Sequence, residues 1–341
     1  MPSDRAERLA LGLIALTVIA LILSAVTVVV YATTPRTPIA APLPILPIAT
    51  PVSNPPPATP VRPSFNPGPS PTRSPSPSRA TPDPAHQLLI TNYQFTLGQS
   101  VEGRPLLGYS FLAAGQPSQA LVLVCGIHGD EMNAWPILQP LILDYASTVR
   151  YRPRGVDLYF IESINPDGAA KSDRLNANDV DLNRNWDTYD WRRGVFISAE
   201  DFLPTGGGEE PFSEPETRGM RDWLLNLQMQ YPDGVTVIYF HAAVPPDGLI
   251  TPGVHRVNGE DLADAPSRKL GQLMADAVGY EYSNHWLGGY PVTGDASTWA
   301  VAQGLISLTV ELPTRDELEP PAALRLREGI LAIIDSLSLG F

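Results

Sequence analysis

Eighteen of the 37 prolines of this 341-residue chain fall between Pro35 and Pro84, and this clustering decides where the chain can fold. The intervening residues there are mostly Ser, Thr, Ala and Arg. A stretch without apolar periodicity, and with so few backbone donors, cannot bury a core, so it reads as an extended, solvated spacer. In polyproline-like geometry it would reach on the order of 150 Å, at about 3.1 Å per residue. The sequence therefore divides into residues 1–8, an uncharged run at 9–32, the proline-rich linker at 33–84 and a folding part at 85–341. The last is long enough for one large domain with a well-buried core.

Charge follows the same division. Residues 1–84 hold 6 bases and 3 acids, which leaves 17 bases against 33 acids in the folding part, a formal charge of −16. A domain this acidic is no partner for nucleic acid. The uncharged run Leu9–Ala32 has 24 residues. That exceeds a signal-peptide core of roughly 7–15 residues and meets the roughly 20 needed to cross a bilayer. With Arg5 and Arg8 before it, the run is expected to be a transmembrane signal anchor. It would keep the N-terminus in the cytoplasm and hold residues 85–341 outside a single-pass cell-membrane anchor. Val30-Tyr31-Ala32 has the small-residue pattern of a cleavage site, and cleavage after Ala32 would give a released form. A buried soluble helix is the competing reading of the run. The single cysteine, Cys125, excludes an intrachain disulfide framework and a cysteine-only zinc site, and its setting, LVLVCGIHG, is that of a core strand.

Short apolar runs predict strands at Leu88–Tyr93, Leu107–Ala113, Ala120–Gly126, Val156–Ser163, Val235–Phe240 and Leu305–Glu311. Longer amphipathic segments predict helices at Glu131–Ser147, Glu216–Gln230, Ala265–Val278 and Pro321–Leu337. Several of the strands are apolar throughout, as a sheet covered on both faces requires. The expected fold class is α/β, a mixed, mainly parallel twisted sheet with helices on both faces. There is no internal repeat, no Walker-type phosphate loop and no G-x-S-x-G elbow, and Gly206-Gly207-Gly208 lies in a polar loop.

Polar residues at strand ends carry the chemistry. In VLVCGIHGDEMNAW a buried strand gives way to His128 and Glu131, an imidazole and a carboxylate three residues apart that can converge on one ion. Alone this spacing is a weak signal, since His128 could cap a helix that Glu131 begins. The strand Val235–Phe240 runs into His241, which supplies a third ligand or else a satisfied core histidine. Two histidines and a glutamate at strand ends would bind one Zn²⁺ per chain and leave a position open for water, the arrangement of a catalytic site. The last strand carries Glu311 out of LISLTVELP. It is an exposed terminal acid, or a general base that takes a proton from water beside the metal. Arg174 and Arg184 stand in an irregular stretch from Ile164 to Trp186 and offer forks for a substrate carboxylate or an oxyanion. Glu214 and Glu216 are expected to start a helix after Pro215, and His86, His255 and His285 to be ordinary surface or core residues.

In order and spacing, LGQSVEGRPL, HGDE, NPDG, DVDLNRNW and TVELP together resemble the zinc metallocarboxypeptidases of the M14 type over nearly all of Phe95–Leu337. The resemblance implies His128, Glu131 and His241 as zinc ligands and Glu311 as the base. It implies Arg174 for the oxyanion, Asn183 and Arg184 for the substrate's terminal carboxylate, and Asp181 as the carboxylate that orients the first zinc histidine. Tyr290, nine residues before Trp299 in GYPVTGDASTW, matches a mobile tyrosine that closes over the substrate. PFSEPETRGM and the R-x-N-x-x-x-V-D-L-N-R-N-W pattern are most similar to bacterial murein peptide amidases and related γ-D-glutamyl-diaminopimelate peptidases. Asp179 stands where relatives often have glycine and Trp186 where phenylalanine is common, both of which bear on loop shape and substrate choice.

The expected activity is hydrolysis of an amide next to a free C-terminal carboxylate in a peptide or muropeptide, by Glu-assisted attack of zinc-bound water, from a monomeric catalytic domain. Asp295 and Ser297 are candidates for the floor of the side-chain pocket. Two other readings are an N-acyl amino acid amidohydrolase of the aspartoacylase and succinylglutamate desuccinylase branch, and a non-catalytic wall-binding module. NPDG, DLNRNW and Tyr290 argue against the first, and the full set of ligands and base against the second.

Overall fold

The computed structural model describes residues 93–340 apart from 114–116, 148–153, 244 and 258–259. The expected anchor at 9–32, the linker at 33–84, His86 and all but Tyr93 of the first expected strand lie outside the described residues. Among the described residues no helix is long and apolar enough to cross a membrane.

Eight strands form one sheet: β1 (Gln94–Gln99), β2 (Pro105–Phe111), β3 (Gln119–Val124), β4 (Val156–Ile161), β5 (Val235–Ala242), β6 (Leu249–Pro252), β7 (Glu281–Tyr282) and β8 (Ile306–Leu312). Their order is β1-β2-β4-β3-β5-β8-β6-β7. The centre, β4-β3-β5-β8, is parallel throughout. β1 and β2 extend one side antiparallel, and β6 pairs antiparallel with β8 and parallel with β7. Among the described residues six α-helices accompany the sheet: α1 (Trp135–Ser147), α2 (Pro166–Lys171), α3 (Pro215–Gln228), α4 (Ala265–Val278), α5 (Ala296–Ala302) and α6 (Pro320–Ser338). The class is the expected one, α/β with a mixed sheet whose centre is parallel.

The central strands lack polar alternation because both their faces are covered. Every residue of β4 and β5 is buried. Leu121, Leu123, Leu158, Phe160, Ile238, Phe240, Leu308 and Val310 point to one face and pack under α1, α4 and α6. Val122, Val124, Tyr159, Ile161, Val237 and Tyr239 point to the other, where α3 and α5 close the second layer. On α3 the buried Met220, Leu224 and Leu227 recur at helical spacing, and each contributes roughly 1.5–3 kcal/mol by leaving water. Cys125 is fully buried on the first face, and burial pushes its thiol pKa far up, as befits a small core residue.

Three expected boundaries shift for physical reasons that bear on function. The helix expected from Glu131 begins only at Trp135, because the chain first makes two turns, Glu131 N to His128 O at 3.2 Å and Trp135 N to Met132 O at 3.1 Å. Strands β5 and β8 each run past their expected ends, so His241 is a strand residue rather than the first residue of a loop, and Glu311 is followed by one more strand residue, Leu312. α2 and α5 were not expected: both are short, and each rests on a side-chain cap, Asn165 Oδ1 accepting from Gly168 N at 2.9 Å and Asp295 from Thr298 N at 2.9 Å.

Candidate metal centre

The site is assembled at the carboxyl end of the parallel strands, where an open α/β sheet leaves room between diverging connections. β3 ends at Val124 and the chain turns sharply at Gly126, whose φ of 60° is left-handed. The turn is packed from outside, since a Cβ on Gly126 would fall 2.4 Å from Met132 Sδ. Gly129 sits against the NPDG turn so closely that a Cβ would lie 2.1 Å from the Gly168 carbonyl carbon. Between these two glycines the chain presents His128, and one turn later Glu131.

His241 arrives from β5, and the parallel register sets Glu311 of β8 directly opposite it. Partners in register on neighbouring strands point to the same face, so the pairing alone makes His241 and Glu311 neighbours. His128 Nδ1 and His241 Nδ1 are 3.2 Å apart, and Glu131 Oε2 lies 2.9 Å from the first and 3.1 Å from the second. All three side chains are buried. A tetrahedral Zn²⁺ with bonds of 2.0–2.1 Å separates its donor atoms by about 3.3 Å, so the triangle has the size zinc requires. The donor set, two imidazole nitrogens and a carboxylate oxygen, is likewise a zinc set. Two buried imidazole nitrogens aimed at each other and at one carboxylate oxygen are reconciled by a cation between them.

Asp181 fixes the arrangement from behind. Its Oδ1 lies 3.0 Å from His128 Nε2, which leaves Nδ1 of that ring free of its proton and turned to the centre. The same oxygen accepts from Asn183 N at 2.9 Å, and Oδ2 takes Nε and Nη2 of Arg174, both at 2.9 Å. Burial works against ionised Asp181, but Arg174 and His128 outweigh it and hold the carboxyl well below the usual range. Glu131 is held low in the same way, against its burial, by His128 and His241. His241 is pushed down by burial. Glu311 behaves oppositely: burial and the charge of Glu131 carry its pKa well above the ordinary carboxylate range.

His128, Glu131, His241 and Glu311 face a cleft of about 460 Å³. Arg174, Asn183, Arg184 and Tyr290 all line it, so every residue singled out from the sequence for substrate contact converges there. Arg174 also reaches Glu131 Oε1 at 3.3 Å. Arg184 is buried and braced by the carbonyls of Phe196 (3.2 Å) and Asn183 (2.8 Å). Asn183 Oδ1 accepts from Ala296 N at 3.0 Å, and the Asn183 amide nitrogen lies 3.4 Å from His241 Nε2. Tyr290 stands edge-on to Trp286 at the cleft wall. Asp295 and Ser297 both line the cleft as expected, yet each is also tied to structure: Asp295 caps α5, and Ser297 Oγ lies 2.9 Å from Ser307 Oγ. His285 is exposed and lines the cleft too.

Glu214 and Glu216 do begin α3, but both are buried and act as anchors. Asn176 and Asn178 donate to Glu214 Oε2 at 2.7 and 2.8 Å, and Val101 N donates to Glu216 Oε1 at 3.0 Å. Asn185 had no assigned role, yet it is fully buried and reaches the Gly207 carbonyl (2.9 Å), Ser213 Oγ (2.9 Å) and Thr217 Oγ1 (2.6 Å). It thereby ties the arginine-bearing loop to the triple-glycine loop, whose Gly206 carbonyl accepts Asp181 N at 2.9 Å. The only sequence signal for it was its place within DLNRNW. Asp179 has a φ of 58°, the left-handed region where glycine is at home and Asp is tolerated, so the departure leaves the turn possible. Trp186 is fully buried among Phe212, Tyr239 and Trp299, with its indole N–H on the Leu182 carbonyl at 2.9 Å.

A buried His-Glu-His centre with an acid beside it, at the end of a doubly covered parallel sheet and open to a cleft, is the equipment of a metal-dependent hydrolase. The zinc carboxypeptidase family, M14, matches residues 91–328, and the chain belongs to it. It is a zinc metallopeptidase of that family. Murein peptide amidase A of Escherichia coli K12 is 28% identical over 222 residues, covering 63% of this chain and 79% of the relative. A zinc carboxypeptidase of Simulium vittatum is 28% identical over 247 residues, covering 64% and 78%. Among solved structures, murein-tripeptide amidase from Escherichia coli O157 shares the fold with a TM-score of 0.51 at 24% identity, covering 72% of this chain and 91% of that one. Carboxypeptidase A from Helicoverpa armigera does so with a TM-score of 0.56 at 19% identity, covering 75% and 72%.

Proposed function

We propose that this chain is a membrane-tethered, extracytoplasmic zinc carboxypeptidase or peptide amidase that cleaves the amide next to a free C-terminal carboxylate, with cell-wall muropeptides as its substrates. The observation that carries the chemistry is the convergence of His128, Glu131, His241 and Glu311 on one cleft that also contains Arg174, Asn183 and Arg184. The likeness to murein peptide amidases supports the substrate class. The uncharged run and proline-rich linker of the sequence support the tether.

His128, Glu131 and His241 would hold the zinc, which would supply a Lewis acid for the scissile carbonyl and bring the pKa of water down to about 7. Glu311 takes a proton from the attacking water and delivers it to the departing amine. Arg174, held by two contacts to Asp181, donates to the carbonyl oxygen as negative charge develops there. Arg184 and Asn183 grip the terminal carboxylate and so set which amide reaches the metal. Tyr290 closes the cleft over the bound peptide and excludes water.

Digestion of purified muropeptides, simple C-terminal peptides and N-acyl amino acids by the zinc-loaded protein, with products identified by mass, tests this reading. Release of the residue that bears the free carboxylate is expected. Cleavage of the acyl amino acids alone would reject it. Protease accessibility of the folded domain in intact cells, against membrane-fractionated controls, tests the tether and its orientation.

A further inference from the structure

Two buried acids at the head of α3, Glu214 and Glu216, touch no basic side chain among the described residues and take no part in the chemistry above. One amide serves both: Asn176 Nδ2 donates to Glu214 Oε2 at 2.7 Å and to Glu216 Oε2 at 3.3 Å, so the two carboxylates are neighbours. Glu214 also accepts from Asn178 Nδ2 and Ser213 Oγ, both at 2.8 Å. Glu216 accepts Val101 N on Oε1 at 3.0 Å. The first turn of α3 favours negative charge at both positions, but burial and the like charge oppose it. The charged groups around the pair are engaged elsewhere. On the turn that carries Val101, Glu102 and Arg104 face Lys171 and Asp167. In the loop opposite, Asp173 accepts Leu175 N, Asp179 is exposed, and Arg174 is taken up by Asp181 and Glu131. On α3 itself, Arg218 donates to the Phe212 and Ser213 carbonyls and Arg221 pairs with Asp222.

Asn176 is the knot of the loop that bears the catalytic groups. Its N–H donates to the Val180 carbonyl at 3.0 Å, its carbonyl accepts Asp179 N at 3.1 Å, and its Oδ1 accepts Asn178 N and Val180 N at 3.0 and 3.1 Å. Nδ2 is what remains, and it goes to the two glutamates. Arg174 stands just before this knot and Asp181 just after it, so the seat of Asn176 sets where the oxyanion donor and the partner of His128 lie. We propose that Glu214 and Glu216 form a pH-sensitive latch: with one proton between them they hold Asn176 and its loop in place, and with none they repel and loosen the seat of Arg174 and Asp181. Glu216 is where the proton sits, because it can carry it on Oε2 and still accept Val101 N on Oε1, whereas three close donors favour ionised Glu214. Burial, and after it the charge of Glu214, raise the pKa of Glu216 above its ordinary value, and the pair titrates as a unit. The stability that such a carboxyl contributes is complete below the unfolded value of about 4.3 and is lost as the pH rises through the folded one. The loop is therefore tight on the acidic side of that titration and loose on the alkaline side. Glu216 is a positioning residue that acts through Asn176. This adds a pH control to the site of the proposed function and rests on that reading.

The test compares the full-length zinc-loaded protein with Glu216→Gln, which is neutral at every pH and has the shape of the protonated acid. Peptide hydrolysis is followed from about pH 5 to about pH 9, a range that begins above the ordinary glutamate value. Titration of Glu311 and of the metal centre is common to both proteins and divides out of the ratio of variant to unaltered kcat. That ratio should be near unity at the acidic end and rise about fivefold or more at the alkaline end. KM should move little, because Arg174 acts on the developing oxyanion. Hydrogen exchange in the unaltered protein gives a readout without turnover or mutation. Protection of the Asn178 and Val180 amides, corrected for intrinsic rates, should fall about fivefold or more over the same range while the amides of β4 and β5 keep theirs. A profile that is flat with pH in either measurement would overturn the inference and leave the two glutamates a static anchor. If Glu216→Gln does not fold, the exchange profile decides. If no peptide of any kind is cleaved, the peptidase reading fails, while the latch still stands or falls on that exchange profile.

Discussion

Replacing Asp181 by Asn removes one charge and one acceptor from a buried contact on which four donors converge: His128 Nε2, Asn183 N, and Nε and Nη2 of Arg174. The amide oxygen can keep the first two. Its NH₂ group must then face Arg174, a donor against donors, and both 2.9 Å contacts to that side are lost. Breaking a buried ion pair by removing one partner costs about 3–5 kcal/mol. The Arg174 side chain is 15% exposed and still has Glu131 beside it, so a loss of about 2–4 kcal/mol in urea unfolding is expected. The His128 ring keeps an acceptor but loses the charge behind it, and such a change typically weakens metal binding 10–100-fold, which chelator competition would measure. Turnover should fall by about two orders of magnitude or more, because the oxyanion donor is no longer held in place. In a cycle with Arg174→Gln, the double variant should be more stable than Asp181→Asn alone, since the stranded cation is gone. Zinc affinity within twofold of the unaltered protein, together with unchanged stability, would refute the view that Asp181 holds ligand and arginine at once.

Other substitutions separate the roles in the site. Glu311→Gln should bind zinc normally and lose nearly all turnover; near-normal hydrolysis would remove Glu311 as the base. Gly129→Ala would drive a Cβ to 2.1 Å from the Gly168 backbone, which cannot swing aside, so a loss of about 3 kcal/mol in thermal or urea unfolding is expected, with weaker zinc binding as His128 shifts. Asp167 binds Ser100 Oγ at 2.7 Å, Glu102 N at 2.9 Å and Arg104 Nη1 at 2.6 Å. Burial opposes its charge, yet these partners hold its pKa below the ordinary value. Its stabilisation is therefore complete above the unfolded value of about 3.9 and is lost as the pH falls through the folded one. Asp167→Asn should cost about 2 kcal/mol at pH 7, and its deficit against the unaltered protein should shrink in unfolding measured near pH 3. A deficit independent of pH would mean that the charge of Asp167 does not matter.

Much of this protein is written locally. Runs such as LVLVC and VTVIYF name strands that must be covered on both faces, because no charged residue interrupts them, and Asp264 with Pro266 opens α4 at the expected residue. The residues that could hold a metal were also legible, since His128 and Glu131 follow one buried strand and His241 lies near the end of another, and the structure brings the three together. Other features depended on contacts between residues far apart in the chain. Glu311 faces His241 only because β8 lies beside β5 in that register. Asp181 meets His128 across 53 residues, and Glu214 and Glu216 become anchors only when the loop at Asn176–Asn178 folds onto them. The reason is geometric. Periodicity and capping act over a few residues and repeat along the chain, so they can be read from it. Which side chains share a cleft is set by strand order and loop closure, which no single segment encodes, and Arg315 came into view as a cleft residue only once β8 had been placed.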